Sequence, residues 1–519
     1  MSTGVLSDQS LARLRWIASA AFVGLFAYYV ASTVHWPMVW DTPIMHYINF
    51  LMSRGLRPYS EITDMNLPGC YLTERWGMAV FGWGDLSWRI YEFFLMAVLT
   101  VSGMVIGGSR RWFAGIYMAA FFIMMHGSEG PIVATERDEL MMVLLVAATA
   151  LLFLSLRRRT PALMLPFGLL TGLAMSLKPS ALLLDVALLV LLFVVLKRSG
   201  ERIGKYLLWG LAGNVAIAAL MVGFLLQHQA WGAFLFICTK IVPSYGQLNQ
   251  RSYVYMFRHL MPMALVLPVA LGILAAALGR RRVGWERWAL ICAMAMGALS
   301  YFVQGKGYLY HRYMFVVSIL LWAGWELTEA MHREDKRSRI VGVAGVAALF
   351  LVIVPYYGRI IHGSPRVGEQ TDALPHALQG DLVQLGGDSL QQQVQCMDLI
   401  QGCIGALYRM RLVQNTGTTG DLLLFSPTAS PAVDYYRNWF LARDREHPAN
   451  VVVLGNEWFQ HGTVTFDKLD AWPQYAAYLR SMYVPVIERH FGDVSAPAYR
   501  IYLRKGSTVL AEEELHPLH

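Results

Sequence analysis

An aspartate standing directly after the first long apolar run, Asp41 in Trp40-Asp41-Thr42-Pro43, is the residue whose type and place most suit chemistry. A carboxylate at the edge of a membrane loses part of its hydration, which fits it to take a proton from an attacking hydroxyl. Asp-Thr-Pro is equally a good helix start, so a solvated capping role stands beside the catalytic one. The following loop, Arg57-Pro58-Tyr59-Ser60-Glu61-Ile62 and on through Asp64 to Asn66-Leu67-Pro68-Gly69-Cys70-Tyr71, adds a phenol at Tyr59 and carboxylates at Glu61 and Asp64.

Two further groups carry unusual polarity. In Thr135-Glu136-Arg137-Asp138-Glu139, the residues Glu136, Arg137 and Asp138 are candidates for a cavity-facing cluster. Acids are also favoured at a helix N-terminus for plain electrostatic reasons. Lys178-Pro179 places an ammonium at a tight turn, where a snorkelling lysine is an equal explanation. In Gln304-Gly305-Lys306-Gly307-Tyr308-Leu309-Tyr310-His311-Arg312-Tyr313, three cationic or ionisable groups, Lys306, His311 and Arg312, gather beside two glycines. Lysine as a point charge and arginine as a bidentate fork suit a lipid phosphate, the glycines allowing close backbone approach. Binding of ordinary lipid headgroups is the plainer alternative.

The elements that must hold these residues are membrane helices. Of 519 residues 56% are hydrophobic and only 15% charged, well below the quarter usual for soluble domains. Apolar runs long enough to cross a bilayer recur along the chain, and the spacing predicts helices near 14–36, 89–107, 112–126, 139–156, 161–177, 180–196, 206–227, 258–279, 288–303, 313–331 and 340–357, about eleven in all. The net charge of +8 sits in short basic clusters at every second gap, at 13–15, 110–111, 157–159, 197–205, 280–287 and 333–339. That is a topology signal for cytoplasmic loops and argues against a nucleic-acid partner. The opposite face then carries loops at 37–88, 127–138, 228–257 and 304–312. The expected fold is a polytopic α-helical membrane module over 1–357, followed by a small extracytoplasmic α/β domain over 358–519. In that domain strands are predicted at 422–425, 451–454 and 499–503, and helices at 391–407 and 472–482. Cys396 and Cys403, seven apart, make a short-loop disulfide plausible on an oxidising side.

An Asp after the first helix, then Gly-x-x-Pro-Tyr-x-x-Ile and Asn-x-Pro-Gly-x-Tyr, resembles the C-type (GT-C) membrane glycosyltransferases, in particular the branch of protein O-mannosyltransferases and lipid A aminoarabinose transferases. The Lys-Gly-aromatic element followed by Tyr-His resembles late-helix motifs of the same superfamily. The resemblance covers roughly 10–320 and implies an inverting transferase that moves a sugar from a polyprenyl-phosphate or diphosphate carrier to an extracytoplasmic glycan, lipid or protein. Asp41 matches the superfamily's catalytic base, and Lys306, His311 and Arg312 become the donor-phosphate contacts. It further implies a multi-pass protein of the cytoplasmic membrane with its active site on the periplasmic side. Many relatives carry a second acid after this Asp; Thr42 stands here instead, which weakens the case for a divalent metal. Two other classes compete. A lipid-linked glycan transporter or flippase would usually show repeated halves and midplane charges. A polysaccharide ligase or polymerase would usually lack both the early Asp loop and the large C-terminal domain.

Overall fold

The long apolar runs, bounded by glycine, proline and charged residues, all become helices. The computed structural model describes residues 7–279, 283–459, 461–492 and 496–507. The arginines at 280–282 of the 280–287 basic cluster lie outside the described residues, as does the end of the C-terminal domain from 508.

In chain order the helices are α1 (Asp8–Thr33), α2 (Asp41–Ser53), α3 (Pro68–Phe81), α4 (Asp85–Arg111), α5 (Phe113–Glu129), α6 (Arg137–Arg158), α7 (Met164–Leu177), α8 (Ala181–Ser199) and α9 (Ile203–Gln227). They continue as α10 (Trp231–Phe236), α11 (Val242–Gln247), α12 (Tyr253–His259), α13 (Val266–Leu278), α14 (Trp285–Gln304), α15 (Tyr313–Met331) and α16 (Lys336–Gln384). The chain divides into two compact units, each drawing on three stretches of sequence: 1–36, 86–221 and 250–366 form the first, and 37–85, 222–249 and 367–519 the second.

The first unit is a helix bundle. Among the described residues, α1, α4, α6, α9 and the span Tyr310–Met331 are long and apolar enough to cross a membrane. A sixth crossing is counted if α12 and the stretch Met263–Leu278, bent by 52°, form one broken span. The chain is thus a multi-pass helical membrane protein, but the expected count of about eleven is not reached by these criteria. Helices α5 and α7, with 17 and 14 residues, are shorter than the roughly 20 a crossing takes. Helix α8 is long enough but carries Asp185, Lys197 and Arg198. Small residues let the backbones approach closely, as in other membrane bundles: a Cβ on Gly115 of α5 would stand 2.2 Å from the Met104 nitrogen of α4.

Ion pairs join α4, α6, α14 and α15 at one end of the bundle. There Arg157 of α6 pairs with Glu286 of α14 at 2.8 Å, Arg287 with Glu326 of α15 at 2.6 Å, and Arg111 of α4 with Glu329 of α15. The opposite ends of the same helices carry the site residues described below.

The second unit holds α2, α3, the α10–α11 segment and a four-stranded sheet. Strands β1 (Val394–Met397), β2 (Val451–Gly455), β3 (Glu457–Trp458), β4 (Thr463–Val464), β5 (Tyr483–His490) and β6 (Ala498–Arg504) follow in sequence, with the main sheet ordered β1-β2-β6-β5. β1 runs parallel to β2, and the other pairs are antiparallel. All five residues of β2 are buried, as its unbroken Val-Val-Val-Leu run requires. Three helices complete the layer: α17 (Cys403–Met410), α18 (Pro431–Glu446) and α19 (Pro473–Met482).

Three local expectations are corrected. The predicted helix over 391–407 is instead β1 and α17, broken where the Asp398 carboxylate accepts from the backbone N–H groups of Gln401, Gly402 and Cys403. The predicted strand at 422–425 is a turn whose Leu423, Leu424 and Phe425 are buried without sheet pairing. The last predicted helix does not stop near 357: α16 continues to Gln384, because Leu374, Leu378 and Leu382 keep a buried stripe at a four-residue spacing.

Candidate active site

At the polar end of the helix bundle, residues from separate loops come together. Asp138, in the first turn of α6 and 1% exposed, forms an ion pair with Lys178. Lys178 follows α7 in an extended conformation, as the next residue, Pro179, demands. Its ammonium also donates to Gln304 Oε1 at 2.9 Å and lies 5.8 Å from the centre of the Tyr310 ring. Gln304, the last residue of α14, donates in turn to Asp138 Oδ1 at 3.3 Å. His311 stands with Nε2 3.8 Å from Asp138 Oδ2. The loop from α14 to His311 turns on Gly305 and Gly307, both near φ +69° and +68°, a conformation that strongly favours glycine. Between them Lys306 is buried, and loss of hydration pulls its ammonium down to about 8. Lys306 is near enough to His311 to act on it electrostatically. Glu136 is the residue preceding α6 and is buried, and Arg137 lies 3.8 Å from its carboxylate.

Arg312 looks elsewhere. Its guanidinium donates to Glu129 Oε1 at 2.6 Å and to the His259 carbonyl at 2.8 Å. Tyr313 donates to the other Glu129 oxygen at 2.8 Å and contacts His126 Nδ1 at 2.9 Å. The far side of that imidazole faces Glu92 of α4 and Glu139 of α6, and the three donor atoms of Glu92, His126 and Glu139 lie within 4.8 Å of one another, a group able to hold a metal ion. Arg89 closes the network, pairing with Glu92 and donating to the Thr33 carbonyl at 3.0 Å.

In the second unit Asp41 is the first residue of α2, part-buried, after Trp40 in a positive-φ conformation (+59°). The neighbouring carboxylates are tied into their own loop. Glu61 takes Arg57 at 2.9 Å, while Asp64 accepts from Asn66 at 2.9 Å and from the Tyr71 hydroxyl at 2.6 Å. Tyr59 donates to the Asn66 carbonyl at 2.7 Å. The loop is pinned to the C-terminal part of the unit, the Thr63 N–H donating to the Gly417 carbonyl at 2.8 Å. A disulfide joins Cys396 to Cys403. Beside Asp41, Trp40, Pro43 and Ile44 help line a cavity of about 570 Å³, whose polar groups include Gln401, Arg409 and Glu457. Burial, reinforced by the nearby Asp398 and Asp421 carboxylates, pushes Glu457 up to about 8.

Asp138, Lys178 and His311 are therefore brought together from distant positions, while Glu61 and Asp64 are held by partners in their own loop and Arg312 by Glu129 and the His259 carbonyl. Glu92, Glu129 and His126 escaped the sequence reading. Their signal was present: ionisable side chains inside otherwise apolar helices are rarely idle.

No protein-family model and no curated protein sequence matches the chain. Solved structures do. ArnT from Cupriavidus metallidurans, bound to undecaprenyl phosphate, superposes with a TM-score of 0.58 at 13% identity, covering 96% of this chain and 98% of its own. The oligosaccharyltransferase AglB from Archaeoglobus fulgidus, in complex with an inhibitory peptide and a dolichol-phosphate, matches with a TM-score of 0.51 at 11% identity over 94% of this chain and 74% of its own. The same archaeal enzyme with Zn and sulfate gives 0.50 at 12% identity, over 94% and 72%. Both proteins are GT-C glycosyltransferases, and the fold of this chain is theirs.

Proposed function

We propose, from that shared fold, that the chain is a glycosyltransferase that takes a sugar from a polyprenyl-phosphate carrier and passes it, with inversion, to an extracytoplasmic acceptor. The observation that carries the reading is the gathering of Lys306, His311 and the Asp138–Lys178 pair, from three separate loops, at one end of a membrane bundle. Cations buried beside a membrane edge suit a lipid phosphate, and the solved relatives were captured with undecaprenyl phosphate and dolichol-phosphate.

In the reaction the acceptor hydroxyl loses its proton to Asp41 as its oxygen bonds to the anomeric carbon. The bond from that carbon to the phosphate oxygen breaks, and the carrier leaves as a phosphate. Because this leaving group is already an anion of low basicity, fixed cations can replace an acid catalyst. Lys306 is the leading phosphate contact in this reading. His311 lies beside it. Arg312 belongs to the same pole but is already committed to Glu129, so its removal should cost less than that of Lys306. The inner membrane, with the chemistry on the periplasmic side, is the compartment the reading implies, and lipid, glycan and protein acceptors all remain compatible with it.

The test is turnover by purified protein of a panel of polyprenyl-phosphate sugars, followed as release of the carrier phosphate. Asp41→Asn should fold and bind donor but lose about 10²- to 10⁴-fold in kcat, the usual loss when a general base is removed. If Asp64→Asn or Glu61→Gln is inactive while Asp41→Asn is not, the base is misassigned. Three active variants would refute the mechanism.

A further inference from the structure

The network behind the Asp138 cluster includes three side chains that the proposed sugar transfer does not use. Glu92, His126 and Glu139 come from α4, α5 and α6, and each is fully buried. His126 Nε2 lies 3.0 Å from Glu92 Oε1 and 3.7 Å from Glu139 Oε2.

Proton bookkeeping shows what this arrangement lacks. Glu129 can only accept, so the 2.8 Å contact with Tyr313 uses the tyrosine's one hydroxyl proton. The 2.9 Å contact between Tyr313 and His126 therefore needs the proton of the imidazole Nδ1. A neutral ring held in that tautomer aims the Nε2 lone pair at two carboxylates, which are themselves acceptors. A metal ion or a proton must stand between them.

The outer partners are those that orient metal ligands. His126 is anchored through Nδ1 to Tyr313 and Glu129. Glu92 accepts from the Tyr29 hydroxyl at 3.0 Å and pairs with Arg89, and Glu139 accepts from the Thr135 N–H at 2.7 Å. We infer that Glu92, His126 and Glu139 form a divalent metal site of one nitrogen and two carboxylate donors, a set that suits Zn²⁺ and also takes Mn²⁺. Such an ion clamps the adjoining ends of three helices. Glu139 is also the chain neighbour of Asp138, so the clamp fixes the start of α6 and with it the carboxylate that holds Lys178. The role is one of positioning, distinct from sugar transfer.

The experiment reads metal content, not activity. The full chain, purified in detergent, is stripped with chelator, reloaded with Zn²⁺ or with Mn²⁺, desalted, and analysed by mass spectrometry for bound metal. Wild type should retain about one equivalent of one of the two ions and unfold at higher temperature when loaded. His126→Gln and Glu139→Gln should lose both the ion and the thermal shift. Glu129→Gln keeps all three ligands and should weaken binding by roughly 10- to 100-fold. Glu488→Gln, in the second unit, should bind as wild type. A monodisperse wild type that retains neither ion overturns the inference and assigns the place to a proton shared between His126 and a carboxylate. Equal retention by wild type and the ligand variants also overturns it. If the ligand variants fail to fold, wild-type stoichiometry and the affinity of Glu129→Gln decide.

Discussion

The two ends of the helix bundle contain similar residues and use them differently. At the end carrying the basic clusters, Arg157 and Glu286 meet across helices while remaining 24% and 25% exposed. Arg157 also donates to the Val105 and Ile106 carbonyls at 2.9 and 2.6 Å, satisfying the end of α4. At the other end Asp138 is 1% exposed and meets Lys178, Gln304 and His311, none of them on its own helix. Charges at the first end fasten neighbouring helices, the Arg157–Glu286 pair in contact with solvent and the Glu326 and Glu329 carboxylates buried against arginines. At the second they are drawn inward from loops, where low dielectric makes each of them matter more and leaves them able to meet a ligand. Position along the helix, not residue type, separates the two roles.

The largest stability difference should come from Lys178→Met. It strands the buried Asp138 charge, and breaking a buried pair from one side typically costs about 3–5 kcal/mol. Chemical denaturation, or the apparent Tm of the detergent-purified protein, measures it. A loss below about 1 kcal/mol, the range of exposed pairs, would erase the contrast between the ends.

Next comes Lys306→Ala. Charge-assisted contacts to phosphate contribute about 1.5–3 kcal/mol, so donor kcat/KM should fall by roughly 10- to 150-fold. Wild-type donor kinetics in this variant would reduce the loop to a membrane anchor.

The same lysine gives a pH prediction. Burial lowers Lys306 to about 8, so the ammonium is present below that pH and lost above it. Donor kcat/KM, which reports the free enzyme, should decline about tenfold per pH unit above 8. Lys306→Arg, always charged, should carry activity to higher pH. An unchanged alkaline limb in Lys306→Arg would detach this titration from donor binding.

The smallest effect is expected from Glu286→Gln at the basic end. It removes a part-exposed ion pair but leaves the carbonyl bonds of Arg157 in place, so stability should change by no more than about 1 kcal/mol and kinetics not at all. A kinetic defect here would mean that the fastening end also shapes the reaction.

Much of the fold was legible because its signals are local. Apolar runs, glycines and basic clusters placed the helices of the bundle, and the Val-Val-Val-Leu run marked β2 as a strand. The turn at 422–425 misled for the same reason, since burial of Leu423 and Phe425 looks like a strand when only the sequence is seen. The helix count is not confirmed where a run was apolar but short, as in α7. The members of the candidate site were legible singly: Asp138, Lys178, Lys306 and His311 each stand out as an ionisable group at or near a helix end.

By itself, then, the sequence determined that this chain is helical and membrane-bound, and which loops carry its polar residues, because hydrophobic periodicity and charge placement act over a few turns. Only the tertiary structure decided which of those residues meet. It paired Asp138 with Lys178 across 40 positions and set His311 beside them from a third loop. It committed Arg312 to Glu129, 183 positions away, and faced Glu92, His126 and Glu139 toward one point. Such pairings depend on how helices pack side by side, and packing places residues distant in the chain together with no local pattern to record it.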